Sequence, residues 1–163
     1  MCAINKWAMH ESIGLAGAKG LAPAYAGNLY FNALPRHPRN ATRTCIAPTG
    51  SIAILAGCSS GIEPHYALEW TRTMGDGTKL REKIPVLERC GGRRIMNEEE
   101  GYEYQEGGFI PKTAHEISWD WHVRHQATFQ KHTDLAVSKT INMSHSATPR
   151  DILNAYTMAW ETG

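Results

Sequence analysis

Residues Arg39 to Pro64 read RNATRTCIAPTGSIAILAGCSSGIEP, and the fold turns on how this stretch is taken. Thr42-Arg43-Thr44-Cys45-Ile46 is β-branched and alternating, the pattern of a short strand. It delivers the chain into Ala47-Pro48-Thr49-Gly50-Ser51-Ile52, which has the makings of an anion-binding turn. Pro48 fixes φ near about −65°, Gly50 removes the side chain that would keep a ligand off the backbone, and Thr49 and Ser51 set hydroxyls beside free amides. That combination suits a phosphate. Ser51 to Ala56 is otherwise apolar and ends at Gly57, so it is either one or two buried helical turns or another buried strand, and periodicity does not decide. Helix is the preferred reading, because strand, turn and helix in succession point free N–H groups at an anion. Cys58 to Pro64 then forms a second polar loop carrying one carboxylate, Glu63. Two such loops flanking a short apolar run make the rim of a site.

The bounds on the whole chain are ordinary. At 163 residues it is long enough for one core and too short for two comfortable ones, so a single domain spanning 1–163 is expected. A composition 42% hydrophobic and 20% charged excludes disorder, and a formal charge of +1 gives no electrostatic reason to expect a nucleic-acid or membrane partner. Any phosphate must be held locally. Cys2, Cys45, Cys58 and Cys90 form no C-x-x-C pair and have no His at zinc-finger spacing, so no metal site is expected. With no signal-like N-terminus and no run of about 18 apolar residues, the chain reads as cytoplasmic with reduced thiols.

Around the central stretch, a core-packing helix is predicted over Ile4 to Lys19, with Ile4, Trp7, Ala8, Leu15 and Ala16 on one side and Gly20 at its end. Leu21 to Pro38, punctuated by Pro23, Gly27, Pro35 and Pro38, reads as a long surface connection. Tyr66 to Met74, the Gly75-Asp76-Gly77 turn and Thr78-Lys79-Leu80 predict a hairpin. A charged, glycine-rich insertion follows over 81–111, expected as a solvated loop or short surface helix. Ser118 to Val137 is the longest helical pattern, largely buried, with Trp121, Phe129 and Ala136 on its apolar face and Val123 and Ala127 widening it. Ser138 to Met143 reads as a strand. Thr148-Pro149-Arg150-Asp151 starts a last helix, with Thr at N-cap and Pro at N1, whose buried face is Ile152, Ala155, Tyr156, Ala159 and Trp160. Alternating helices and strands imply an α/β fold, and a helix ending at Gly163, where another strand would follow, makes the architecture look unfinished.

RNATRTCIAPTGSIAILAGCSSGIEP, TAHEISWDWHVRHQATFQKHTDLAVSKTINM and SATPRDILNAYTMAWETG together resemble three successive blocks from the C-terminal half of the ribonucleotide reductase large (catalytic) subunit, most of all its adenosylcobalamin-dependent class. The resemblance runs from about Asn5 to Gly163, weakest over Leu80 to Gly108. It implies the C-terminal half of a ten-stranded α/β barrel, in which a cysteine thiyl radical abstracts the ribose 3′-hydrogen, the 2′-hydroxyl leaves as water and a cysteine pair supplies electrons. It also implies that Ala47, Pro48, Thr49, Gly50, Ser51 and Ile52 bind the substrate's phosphates, with adenosylcobalamin as cofactor of the complete enzyme. The implied partners are the ribonucleotide, the N-terminal catalytic half and a homodimeric copy. The Asn-x-Cys-x-Glu motif that carries the family's radical cysteine is absent here, so no residue is assigned as catalytic and the chain alone is expected to be inactive. The alternative reading is a non-catalytic half-barrel that binds or assembles with another chain.

Three further features have bland explanations. Cys45 and Cys58 are expected to be small buried hydrophobes. His122 and His125 share a predicted helix face, but no third ligand completes a metal site, and His122 reads as structural. Glu63 is expected either to brace the first loop or to be solvated.

Overall fold

The computed structural model describes residues 1–25, 37–86, 94–97, 101–104 and 111–163. Its organising contact is a parallel one. Residues 44–46 run beside 135–138: the Leu135 amide donates to the Thr44 carbonyl (3.0 Å), Ile46 to Ala136 (3.2 Å) and Ser138 to Ile46 (2.8 Å), with Ile46 and Val137 paired in parallel. The expected strand at Thr42–Ile46 is thus an extended segment with one bridged residue. The strand expected at Ser138–Met143 pairs earlier, at 135–138.

An ion pair sits at the start of this contact. The Asp134 carboxylate accepts from the Arg43 amide (2.7 Å) and the Arg43 guanidinium (2.6 Å), while the Asp134 amide donates to Thr44 Oγ1 (3.1 Å). Both side chains are mostly buried, at 11% and 14% exposure. Burial pushes the Asp134 carboxyl up, but the hydrogen bonds and charge of Arg43 outweigh it and hold the group below its ordinary value. A lowered carboxyl stabilises the fold above its ordinary titration range, and that stability is lost as pH falls through the lowered value.

Helix α1, Cys2–Lys19, docks onto this pair from one side. Asn5 Nδ2 donates to Asp134 and to the His132 carbonyl, and Ser12 exchanges three hydrogen bonds with Arg39 and Asn40. The expected face is used only through its small residues: Ala16 is buried and Ala8 half-buried beside buried Ser12, whereas Ile4, Trp7 and Leu15 are exposed. Small side chains let the helix backbone come within hydrogen-bonding range of residue 39, which the large apolar face would prevent. The connection after α1 begins with a 3₁₀ turn, Pro23–Tyr25; Tyr25 packs against His37, and both Tyr25 and Pro38 are buried rather than on the surface. Residues 26–36 of that predicted connection lie outside the described residues.

Helix α2 spans Gly50–Ala56 and closes at Gly57, whose φ of 63° is left-handed; the Cys58 amide returns to the Ala53 carbonyl. Helix rather than strand is therefore adopted. It is not buried, since only Ala53 is, and Ile52, Ile54 and Leu55 are exposed.

The predicted hairpin forms from β1, Glu69–Thr73, and β2, Lys79–Lys83, with Thr71 opposite Arg81. Asp76 accepts from the Thr78 amide in the turn, and Leu68 and Ile84 are fully buried at its base. Within the 81–111 insertion a second hairpin, β3 (Arg94–Asn97) and β4 (Gly101–Tyr104), replaces the expected loop or helix. Aromatic and β-branched residues in these segments favour the extended backbone. Among the described residues each sheet has two strands, so the chain combines helices with small sheets and one parallel contact.

Helix α3 covers Trp119–Gln130, starting after Ser118 as predicted and ending seven residues short of Val137. It ends early because Asp134 is held by Arg43, and Gln130 and Thr133 side chains bond backbone carbonyls at 129, 133 and 135. Its buried face is His122, Val123 and Ala127; Trp121 is exposed and Ala136 lies beyond the helix. Helix α4, Pro149–Thr162, has the predicted cap: Thr148 and Asp151 bond reciprocally with Pro149 at the first turn. It meets α3 through a face that buries Ala155, leaving Ile152, Tyr156 and Trp160 exposed where burial was expected.

The ion pair gives a direct test. Asp134→Ala strands a largely buried guanidinium, and urea unfolding should show a loss of about 3 kcal/mol, with a smaller loss in the double variant Arg43→Met/Asp134→Leu. A single-variant loss below about 1 kcal/mol, as for a surface pair, contradicts this role.

Candidate functional site

The site is built where the parallel segment hands the chain to the turn. After Ile46, Ala47 and Pro48 are exposed, and Thr49 precedes the first residue of α2. The first helical bond runs from the Ala53 amide to the Thr49 carbonyl (2.9 Å), so the Gly50, Ser51 and Ile52 amides lie ahead of the helical ladder. Gly50, Ser51 and Ile52 are all exposed on this side of the molecule.

Thr49 faces the other way. Its amide donates to Ser60 Oγ (3.2 Å), its hydroxyl shares a hydrogen bond with the same oxygen (3.2 Å), and it accepts from the Gly61 amide (3.1 Å). The two loops are thus tied through Thr49, whose polar groups are engaged within the protein. Gly61 suits the turn through its φ of 52°, a left-handed conformation that other residues rarely adopt, whereas a Cβ there would make only ordinary contacts with Ile46 and the Ala47 carbonyl. Gly50 differs. Its φ is not left-handed, and a Cβ built on it meets nothing within 4 Å, so neither backbone conformation nor packing asks for glycine there.

Glu63 is bonded to a segment other than the one anticipated. Its carboxylate accepts from Lys139 Nζ (2.6 Å) and from the Thr140 amide (2.5 Å), joining the second loop to the chain just beyond Val137. Its link to the first loop is indirect, through Ser60 and Gly61. Sequence reasoning missed Ser60, Lys139 and Thr140. Two hydroxyl residues beside a glycine were a signal for the first; no local signal places Lys139 opposite Glu63, 76 residues away.

Glu63 and Lys139 also lie in the wall of a cavity of about 1030 Å³ between the second loop and α3, lined further by Ile62, Trp121, His122 and Phe129. None of Ala47 to Ile52 lines it. His122 is only 1% exposed and its Nε2 donates to the Ala114 carbonyl (3.0 Å), since a carbonyl can only accept. Burial lowers its titration, and the charge of Lys139 lowers it further. His125 rests on Phe129 with ring centroids 4.9 Å apart. Cys45 and Cys58 are exposed free thiols, in contrast to the buried role expected of them.

Comparison with known proteins identifies the family. Residues 37–163 match the barrel domain of ribonucleotide reductase. The chain is 41% identical over 172 aligned residues to the vitamin B12-dependent ribonucleoside-diphosphate reductase of Thermoplasma acidophilum, covering 98% of this chain and 22% of that protein. It is 36% identical to the enzyme of that name from Mycobacterium tuberculosis (97% of this chain, 24% of that protein), and 29% identical to the vitamin B12-dependent ribonucleotide reductase of Rhodopirellula baltica (77% and 14%). The chain belongs to the ribonucleotide reductase barrel-domain family. It spans less than a quarter of the length of these relatives.

Neutral His122 carries a pH prediction. A lowered imidazole stabilises the fold fully above the ordinary value of 6.5, and that stability is lost as pH falls through the lowered value. His65, lowered by burial, acts in the same direction. The urea midpoint should therefore fall between about pH 7 and pH 5, and less steeply in His122→Asn, whose side chain does not titrate. An identical slope in the two proteins contradicts the assignment.

Proposed function

We propose that this chain is the C-terminal part of a ten-stranded α/β barrel of a ribonucleotide reductase and supplies the loop that binds the phosphates of a ribonucleoside di- or triphosphate. The observation that carries the reading is Gly50. Glycine stands at the entrance of a turn where the fold does not require it, which leaves close approach of a ligand to the backbone as its physical reason. Beside it the Gly50, Ser51 and Ile52 amides and the Ser51 hydroxyl are the donors that meet phosphate oxygens, while Ala47 and Pro48 shape the turn. Thr49 holds the loop in place through Ser60.

In this reading the chain binds and orients substrate in the reduction of ribonucleotides to deoxyribonucleotides. Amides cradle the diphosphate, the ribose is presented to the radical centre, and thiyl chemistry proceeds on residues outside this chain. Its partners are the nucleotide, the N-terminal catalytic half of the barrel and a second copy in a homodimer, in the cytoplasm. Adenosylcobalamin, the cofactor of the relatives' class, supplies the radical when bound to the assembled enzyme. The amides and hydroxyls of residues 49–52 are hard donors suited to phosphate and do not fit a corrin cobalt, so no residue here is assigned to it.

Gly50→Val tests the loop. A branched side chain at that position meets open space in the protein but fills the approach to the amides, so the fold should be retained while kcat/KM of the assembled reductase falls about a hundredfold. Unchanged turnover in a folded variant overturns the reading.

A further inference from the structure

We infer that Lys139 and Ser60 are positioning residues for nucleotide binding, because they complete a closed ring of contacts that fixes the phosphate turn; the inference rests on the assignment of that turn in the preceding section. Starting at Ile46, the chain runs through Ala47 and Pro48 to Thr49, which is bonded to Ser60 and Gly61. Two residues on, Glu63 accepts from Lys139 Nζ and the Thr140 amide. One residue back from Lys139, the Ser138 amide donates to the Ile46 carbonyl, and Val137 pairs with Ile46 itself. The ring is closed.

Each link has a distinct physical character. The Lys139 side chain is 3% exposed and that of Glu63 23%, so this ammonium meets its charge partner almost out of water, and its remaining contact is the Thr140 carbonyl. A buried ammonium costs several kcal/mol unless paired, which makes the pair sensitive to loss of either member. Both residues share the wall of the cavity with buried His122, and its neutral state spares Lys139 a like charge. Ser60 is the only group that engages both the amide and the hydroxyl of Thr49 among the described residues. Without Lys139 the far side of the ring is held by the Thr140 amide on Glu63 alone. Without Ser60 the near side is held by the Gly61 amide on the Thr49 hydroxyl alone, and the amide of Thr49 loses its acceptor. In either case the Gly50, Ser51 and Ile52 amides lose their fixed orientation, and binding weakens without any change in the reacting groups.

The experiment is a comparison of four variants in the assembled reductase: Lys139→Met, Lys139→Arg, Ser60→Ala and Gly50→Val. Lys139→Met and Ser60→Ala should raise the nucleotide KM roughly tenfold with kcat within about twofold, and should raise the inhibition constant of inorganic pyrophosphate by a similar factor. Lys139→Arg, which keeps the charge, should recover most of the loss. Urea unfolding of each variant separates instability from misplacement. A merely structural role predicts a lower unfolding midpoint with KM and the pyrophosphate constant unmoved, and that result overturns the inference. If Lys139→Met does not fold, Ser60→Ala and Lys139→Arg decide by the same measurements. If Gly50→Val binds nucleotide normally, the phosphate-turn assignment itself fails. If Gly50→Val loses binding while Ser60→Ala and Lys139→Met retain it, the turn stands and the ring does not.

Discussion

The parallel contact between residues 44–46 and 135–138 is the constraint on which the rest depends. Three backbone hydrogen bonds, each contributing about 1 kcal/mol net, are too few to fix two segments that lie some ninety residues apart in sequence. Two carboxylates bracket them. At one end Asp134 takes the amide and guanidinium of Arg43, and at the other Glu63 takes the amine of Lys139 and the amide of Thr140. Each charge pair is mostly shielded from water, so each resists sliding of one segment along the other. Helix α1 joins the first clamp through Asn5, and the turn at Ala47 springs from the segment between the two.

What the sequence disclosed was local. Thr148, Pro149 and Asp151 cap a helix within four residues, and the Gly75-Asp76-Gly77 turn closes a hairpin within five, so both were readable. Helix α2 was ambiguous by periodicity and was preferred because a helix after the turn points free amides at an anion; the structure adopts the helix and caps it with left-handed Gly57. Burial was not readable. Periodicity named Ala16 and Ala155 correctly, but the large apolar residues beside them are exposed and α1 buries Ser12 as well, because small residues allow close backbone approach. The premature end of α3 was equally hidden, since the residue that stops it, Asp134, answers to Arg43, 91 residues earlier.

The turn we propose for phosphate drew attention by its residue types, while its support was not legible. Pro48, Gly50 and Ser51 suggested a backbone-lined anion site by residue type alone. Thr49 was taken for one more donor, yet its hydroxyl and amide are spent on Ser60 and Gly61, which makes it part of the frame. Glu63 was expected either to brace the first loop or to be solvated, and its carboxylate is bonded instead to Lys139 and Thr140. The chain belongs to the ribonucleotide reductase barrel family, and Leu55, Tyr156 and Trp160 stand exposed at 91%, 75% and 84%.

The central claim is that backbone amides at Gly50, Ser51 and Ile52 hold the substrate's phosphates. The most direct measurement is a crystal structure of the assembled reductase with a bound ribonucleotide. The account predicts phosphate oxygens within hydrogen-bonding distance of those three amides, with Thr49 still bonded to Ser60. A fully occupied nucleotide whose phosphates are held elsewhere, leaving the turn without a contact, would contradict it.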